Sequence, residues 1–139
     1  MKKNLILLSL LASCASPPAD QPAEEKQPMD LASATVAYTP DSLVGKTIEY
    51  RYGSDVYHVT IDTDSTLHWR GIEGGEKGVT GNETYFMESL DPSRIFISWD
   101  EANGIAVSQV LDFSQGKVYN HLMINRALRN GHGEIRLLP

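Results

Sequence analysis

The stretch TIEYRYGSDVYHVTI runs from Thr47 to Ile61 and turns on Gly53-Ser54. Glycine in the first place of a two-residue turn fits type II′, the geometry that joins two antiparallel strands. Folded there, Ile48 meets Val59 and Tyr50 meets Tyr57, with Tyr52 and Ile61 on the same face. Thr47, Glu49, Arg51, His58 and Thr60 fall on the reverse face, and Glu49 lies opposite His58. One face is then aromatic and aliphatic and the other polar. A slip of one residue would exchange the two, so the pattern fixes the register.

Working outward, the region from Tyr38 to Pro139 reads as short alternating segments between turn signals, with no convincing amphipathic helix. That is the mark of an all-β barrel or sandwich. No repeat of roughly 20–50 residues is present. The connection Asp62–Ser65 leaves two registers open. A three-residue loop puts Leu67 and Trp69 on the tyrosine face, whereas two or four residues put His68 and Arg70 there. The glycine-rich segment Gly71–Gly81 lacks the endings of phosphate-binding loops and reads as a connection, placed at a barrel mouth.

In the second half, Asp91-Pro92-Ser93-Arg94 is a turn. Asn103-Gly104 predicts a type I′ hairpin, and Ser114-Gln115-Gly116 a three-residue loop. These turns place Met87, Ser98, Gln109 and His121 in one row across four strands. Apolar pockets with a few placed polar groups are the usual ligand sites, so the Ser98 face is expected to be the interior. The reverse face, with Ile95, Ile97 and Trp99, is uniformly apolar and needs cover. A homodimer through the Ile95/Ile97/Trp99 face, an unrecognised helix, or the N-terminal segment would supply it.

The chain has 139 residues, a formal net charge of −6 and one cysteine, Cys14. The acidic balance, with no Lys/Arg cluster after the first residues, argues against nucleic acid as a partner. A single cysteine excludes an internal disulfide and a multi-cysteine zinc site. The histidines at 58, 68, 121 and 132 have no ligand spacing, so no metal and no cofactor are expected.

At the N-terminus, Lys2 and Lys3 precede an apolar run from Leu5 to Ala12, too short to span a bilayer. The run ends in LASC, Leu11 to Cys14, which resembles a bacterial lipoprotein signal. The resemblance implies a signal peptide over 1–13, lipid and palmitate on Cys14, and a membrane anchor. Several acyl chains make such anchoring stable. Ala15 in place of a retention aspartate implies the outer membrane of the cell envelope, on its periplasmic or exterior side. Loss of Lys2 and Lys3 would take the charge from −6 to −8. Residues 14–37 are rich in Pro, Ala, Glu and Gln and are expected to form a disordered tether. About 23 such residues span roughly 25–30 Å.

The segments VGKTIEYRYGSDVYHVTI, LHWRGIEGGEKGVTGNETY and IFISWDEANGIAVSQVLDF resemble the MoaF-like domain, named for a protein associated with molybdenum-cofactor biosynthesis. Ser98–Gly104, SWDEANG, carries the closest likeness. This implies a small antiparallel calycin-like barrel of about eight to nine strands over residues 38–139. A more distant similarity is to phenolic acid decarboxylases, whose two tyrosines at i, i+2 hold a substrate carboxylate. Tyr50 and Tyr52 match that spacing, and Arg70 matches a following arginine. The position of those enzymes' glutamate falls on Pro92, with Asp91 beside it.

Three functions remain in view. The first is a lipid-anchored, non-catalytic barrel for a small aromatic or carboxylated molecule, lined by Tyr50, Tyr52, Tyr57, Arg70, Ser98, Gln109 and His121. The second is a decarboxylase or lyase using Tyr50, Tyr52, Arg70 and Asp91. The third is a packed interaction domain presenting the Ile97/Trp99 face.

Overall fold

The computed structural model describes residues 37–139, so the expected signal peptide, Cys14 and the expected tether up to residue 36 lie outside the described residues. Eight antiparallel strands follow one another around a closed barrel: β1 (Thr47–Tyr52), β2 (Asp55–Ile61), β3 (Thr66–Glu73), β4 (Thr80–Asp91), β5 (Arg94–Asp100), β6 (Ala106–Asp112), β7 (Lys117–Ile124) and β8 (Ala127–Leu137). β8 pairs back onto β1 through Ile48↔Leu137 to Arg51↔Glu134. Closure removes the free edges that an open sheet would expose.

The first hairpin forms as its sequence dictates. Gly53 takes φ +62° and Ser54 is not in the left-handed region, as type II′ requires. Ile48 pairs with Val59, Tyr50 with Tyr57, and Glu49 with His58. The outer polar row becomes an ion-pair chain. Glu49 accepts two hydrogen bonds from Arg136, at 2.9 and 3.1 Å, and lies 3.4 Å from His58 and 3.6 Å from Arg51. Arg51 reaches Glu73 at 3.8 Å, spanning the buried Val56 between them.

The β2–β3 loop has three residues, because Asp62 pairs with Thr66 through its backbone N–H. Leu67 and Trp69 therefore point inward and Arg70 points out, opposite His58 and exposed. Arg70 is thus no part of the interior. Thr63 Oγ1 accepts from the N–H groups of Ser65 and Thr66, which holds the loop at that length.

The second half corrects the expected faces. In the β5–β6 loop only Gly104 is left-handed (φ +85°) and Asn103 is not, so no type I′ turn forms. Glu101 instead pairs with Ile105 across a three-residue loop, and Trp99 faces Val107. The β6–β7 loop has four residues, from Phe113 to Gly116, and Gln109 faces Asn120. Each loop is one residue longer than expected. Gln109 keeps its inward place while β5 and β7 both turn over. Ser98 and His121 consequently lie on the outside, both opposite Ser108, and His121 is exposed. Ile95, Ile97 and Trp99 are buried inside, so the dimer face expected there does not exist. The large apolar side chains left exposed are others, including Phe86, Tyr119, Met123 and Leu128.

One end of the barrel is plugged. A short helix, α1 (Pro40–Leu43), is capped by Thr39, whose side chain accepts from the Ser42 N–H while Ser42 Oγ accepts from the Thr39 N–H. It delivers Leu43, fully buried, into the interior among Ile48, Ile61, Leu67, Ile95 and Leu111. Tyr38 stacks on Phe113 at 4.1 Å and donates its backbone N–H to the Pro92 carbonyl. This is the cover that the sequence left unassigned: it closes the barrel's end, not its side.

Candidate functional site: a polar cavity in the open half of the barrel

The interior divides along the barrel axis. Toward α1 it is solid aliphatic core. Toward the β1–β2, β3–β4, β5–β6 and β7–β8 loops it opens into a cavity of about 390 Å³. Eight strands leave room for one small ligand at most, and this volume falls within the range of ligand pockets. Tyr50, Tyr52, Tyr57, Trp69 and Trp99 supply its aromatic walls.

Two glycines on β8 allow close packing here: Gly131 lines the cavity and Gly133 lies against the Tyr52 ring. Gly131 lies opposite Asn120, and a Cβ there would come 2.7 Å from the Asn120 Oδ1. A Cβ on Gly133 would collide with the Arg51 carbonyl and come 2.6 Å from the Tyr52 ring. Gly133→Ala is expected to displace Tyr52 and to cost about 1–3 kcal/mol, the usual cost of overpacking. A denaturant midpoint unchanged from the parent would contradict this packing.

The rings stand at angles to one another. Tyr57 meets Tyr52 edge-on at 6.3 Å and 64°, and meets Trp69 at 6.3 Å and 70°. Tyr50 lies 6.4 Å from Tyr52 at 28°. Such offset and edge-on pairs are the favoured aromatic geometries. Gln109 Nε2 donates to the Tyr52 hydroxyl at 3.1 Å.

Among the described residues, four buried polar atoms carried by residues of this lining have no hydrogen-bond partner: Tyr50 Oη, Trp99 Nε1, Gln109 Oε1 and Asn120 Oδ1. Buried polar atoms are normally satisfied, and each orphan costs about 1–3 kcal/mol. Four on one cavity wall are therefore an unusual concentration.

Carboxylates surround the mouth. Asp55, Glu76 and Glu101 line it, with Arg129 and His132 contributed by β8. Asp55 accepts from the Gly75 N–H at 3.0 Å, and Glu76 accepts from the Tyr57 hydroxyl at 2.7 Å. These two bonds tie the glycine-rich β3–β4 loop to the rim, as its expected placement at a barrel mouth required. Burial pushes the Glu101 carboxyl above its ordinary range. A hydrogen bond from Asn103 Nδ2 at 3.0 Å opposes this, and the nearby Trp99 indole favours the charged form without bonding to it. Glu76 and Glu83 add repulsion in the raising direction.

Burial is also the main reason that the Tyr50, Tyr52 and Tyr57 phenols ionise above their usual 10.0; for Tyr57 the bond to Glu76 adds to it. The folded state holds these protons more tightly than the unfolded chain. Stability is therefore intact below about pH 10 and declines as pH rises past the unfolded phenol value. Denaturation midpoints between pH 9 and 11 are expected to fall, and a flat profile would contradict the burial of these phenols.

Of the residues expected from sequence, Tyr50, Tyr52, Tyr57 and Gln109 line the cavity, and Arg70, Ser98 and His121 do not. Asp91 sits in the β4–β5 turn at the plugged end, where Arg94 binds it at 2.6 Å and the Ser93 N–H at 2.8 Å. These bonds lower its carboxyl to about 2. It is the wrong end of the barrel for a partner to Tyr50. The sequence reading missed Trp99, Glu101 and Asn120. Their signal was the strict alternation Ile95-Ile97-Trp99 and Val118-Asn120-Leu122, which marks one face of each strand.

No curated protein matches the chain. Among solved structures, it is similar to a crystal structure of a "putative beta-lactamase from Burkholderia vietnamiensis", with a TM-score of 0.64 and 23% identity. That similarity covers 69% of this chain and 95% of the other, and it is a likeness of fold. Residues 44–136 match the MoaF-like family model, and with its closed eight-stranded barrel the chain belongs to the MoaF-like family.

Proposed function

We propose that this chain is a lipid-anchored envelope protein whose barrel binds one small aromatic molecule without transforming it. The observation that carries this reading is the set of four orphaned polar atoms on the wall of a single cavity. A ligand with hydrogen-bonding groups would offer these side chains partners that the described residues do not supply. Five aromatic rings in the same wall offer contact area to a flat or apolar body. The lyase alternative loses support, because Arg70 and Asp91 both lie away from the cavity. The interaction-domain alternative loses its surface, because Ile97 and Trp99 are buried.

Native mass spectrometry of the purified chain tests the binding reading. A co-purified small molecule is expected, released on unfolding and absent from Trp99→Ala. A bare protein that also shows no thermal shift with any aromatic compound would refute it. The anchor is part of the same proposal and rests on LASC at Leu11–Cys14. Radioactive palmitate is expected to label the chain in cells and to be lost with Cys14→Ser. Labelling that persists in that variant would remove the anchor and, with it, the assignment to the outer membrane.

A further inference from the structure

The chemistry of the cavity names its occupant more closely than "aromatic", and the inference rests on the binding reading above. Charge comes first. Asp55, Glu76 and Glu101 stand around the mouth and, among the described residues, none of them forms an ion pair. Against them the lining offers one permanent cation, Arg129, which lies across on β8. Glu101 is half-buried beside two further carboxylates, Glu76 and Glu83, and its burial already resists ionisation. A negative cluster in this position is relieved by a positive ligand and worsened by a negative one.

The rings give a second, independent indication. Tyr52, Tyr57 and Trp69 stand at steep angles in sequence, like walls meeting at corners, and Trp99 and Tyr50 line the same space. Ring faces carry negative quadrupole density, and an ammonium group seated among several of them is held strongly once out of water. The orphaned atoms are of both kinds, since Trp99 Nε1 is a donor and Tyr50 Oη can donate or accept, while two are acceptors only. Gln109 Oε1 and Asn120 Oδ1 are acceptors, each on a side chain more than nine-tenths buried, and they call for N–H or O–H donors. A carboxylate would meet them oxygen to oxygen. The sequence reading allowed a carboxylated ligand on tyrosine hydroxyls and His121, and His121 lies outside the cavity, as does Arg70.

We propose that the cavity recognises an organic ammonium ion with an apolar or aromatic body. Its charged head lies at the mouth between Glu101, Glu76 and the Tyr57 and Trp69 rings, and its body extends inward towards Tyr50 and Gln109, where an N–H or O–H substituent on it would meet the Gln109 acceptor. Glu101 is the principal charge partner, since Asp55 and Glu76 already hold the β3–β4 loop.

Three probes sharing one ring separate the possibilities: benzyltrimethylammonium, its neutral isostere neopentylbenzene, and phenylacetate. Binding to the purified full-length chain is followed by tryptophan fluorescence, since both tryptophans of the sequence line the cavity. The cation is expected to bind at least tenfold more tightly than the neutral isostere, and phenylacetate most weakly. Glu101→Gln is expected to lower affinity for the cation about tenfold and to leave neopentylbenzene unchanged, which also reports that the variant is folded. Glu76→Gln provides a second reading of the same charge, with a smaller loss. Equal or tighter binding of the neutral or anionic probe would overturn the ammonium assignment and leave the binding cavity standing. So would a Glu101→Gln variant that binds the cation as the parent does. Absence of saturable binding by all three probes would overturn both.

Discussion

Truncation of Leu43 to alanine is expected to cost about 2–5 kcal/mol, the range for a buried leucine whose cavity cannot collapse. For a domain of this size that is roughly 10–30 °C of melting temperature. The effect is large for a four-residue helix because α1 contributes little as a helix and much as a plug. Leu43 is fully buried among side chains drawn from five strands, so its loss exposes the aliphatic floor of the barrel from below. Calorimetry of the parent and the variant decides it. A shift of only a few degrees would mean that the strands close the barrel without the plug. Because the cavity lies at the opposite end, probe affinity at low temperature is expected to survive the substitution.

Asn120→Leu is expected to do the reverse. It removes an orphaned acceptor from the cavity wall and puts apolar volume against Gly131. The empty protein should gain about 1–3 kcal/mol, or roughly 5–15 °C. Ligand affinity should fall by at least tenfold, because the variant has lost an acceptor and part of the space. Stability gained together with binding lost is the pattern of a residue held for function. If Asn120 served only the fold, the variant would lose stability instead, and that outcome would falsify its place in the site.

The first half of the barrel was legible because its turns carry their own geometry. Glycine at the first place of Gly53-Ser54 admits the left-handed φ that type II′ needs, and every partner in the hairpin follows from it. In Asp62–Ser65, hydrophobic alternation favoured Leu67 and Trp69, and alternation was right where the likeness to decarboxylases pointed to Arg70. The second half was misread through three single residues, one of them the bulge at Leu90 in β4, which sets Met87 opposite Ile97 instead of Ser98. Asn103-Gly104 looks like a type I′ turn, yet the chain uses only the glycine in the left-handed region and adds Ala102 to the loop. The β6–β7 loop likewise takes in Phe113. Each added residue inverts one strand, so Ser98 and His121 were placed inside and Trp99 and Asn120 outside. Local turn preference amounts to little beside burial of Ile95, Ile97, Trp99 and Val118, all on one side of their strands. The aliphatic face was the better guide. The helix carried a readable signal too, since Thr39-Pro40-Asp41-Ser42 contains a cap and a proline at the first helical turn.

The seam between β1 and β8 has a kinetic consequence. Every other strand pair is a hairpin joined by a short loop, so it forms between sequence neighbours. Only the seam joins the two ends of the domain, where Ile48 to Arg51 meet Glu134 to Leu137. Pairings of long sequence separation carry the largest closure entropy and set the pace of folding. Tyr50 and Tyr52 stand on one side of that seam and Arg129, Gly131 and His132 on the other. The meander can thus assemble hairpin by hairpin while the ligand site is still in two halves. Recovery of ligand binding during refolding should follow the slowest phase, not the first appearance of strand.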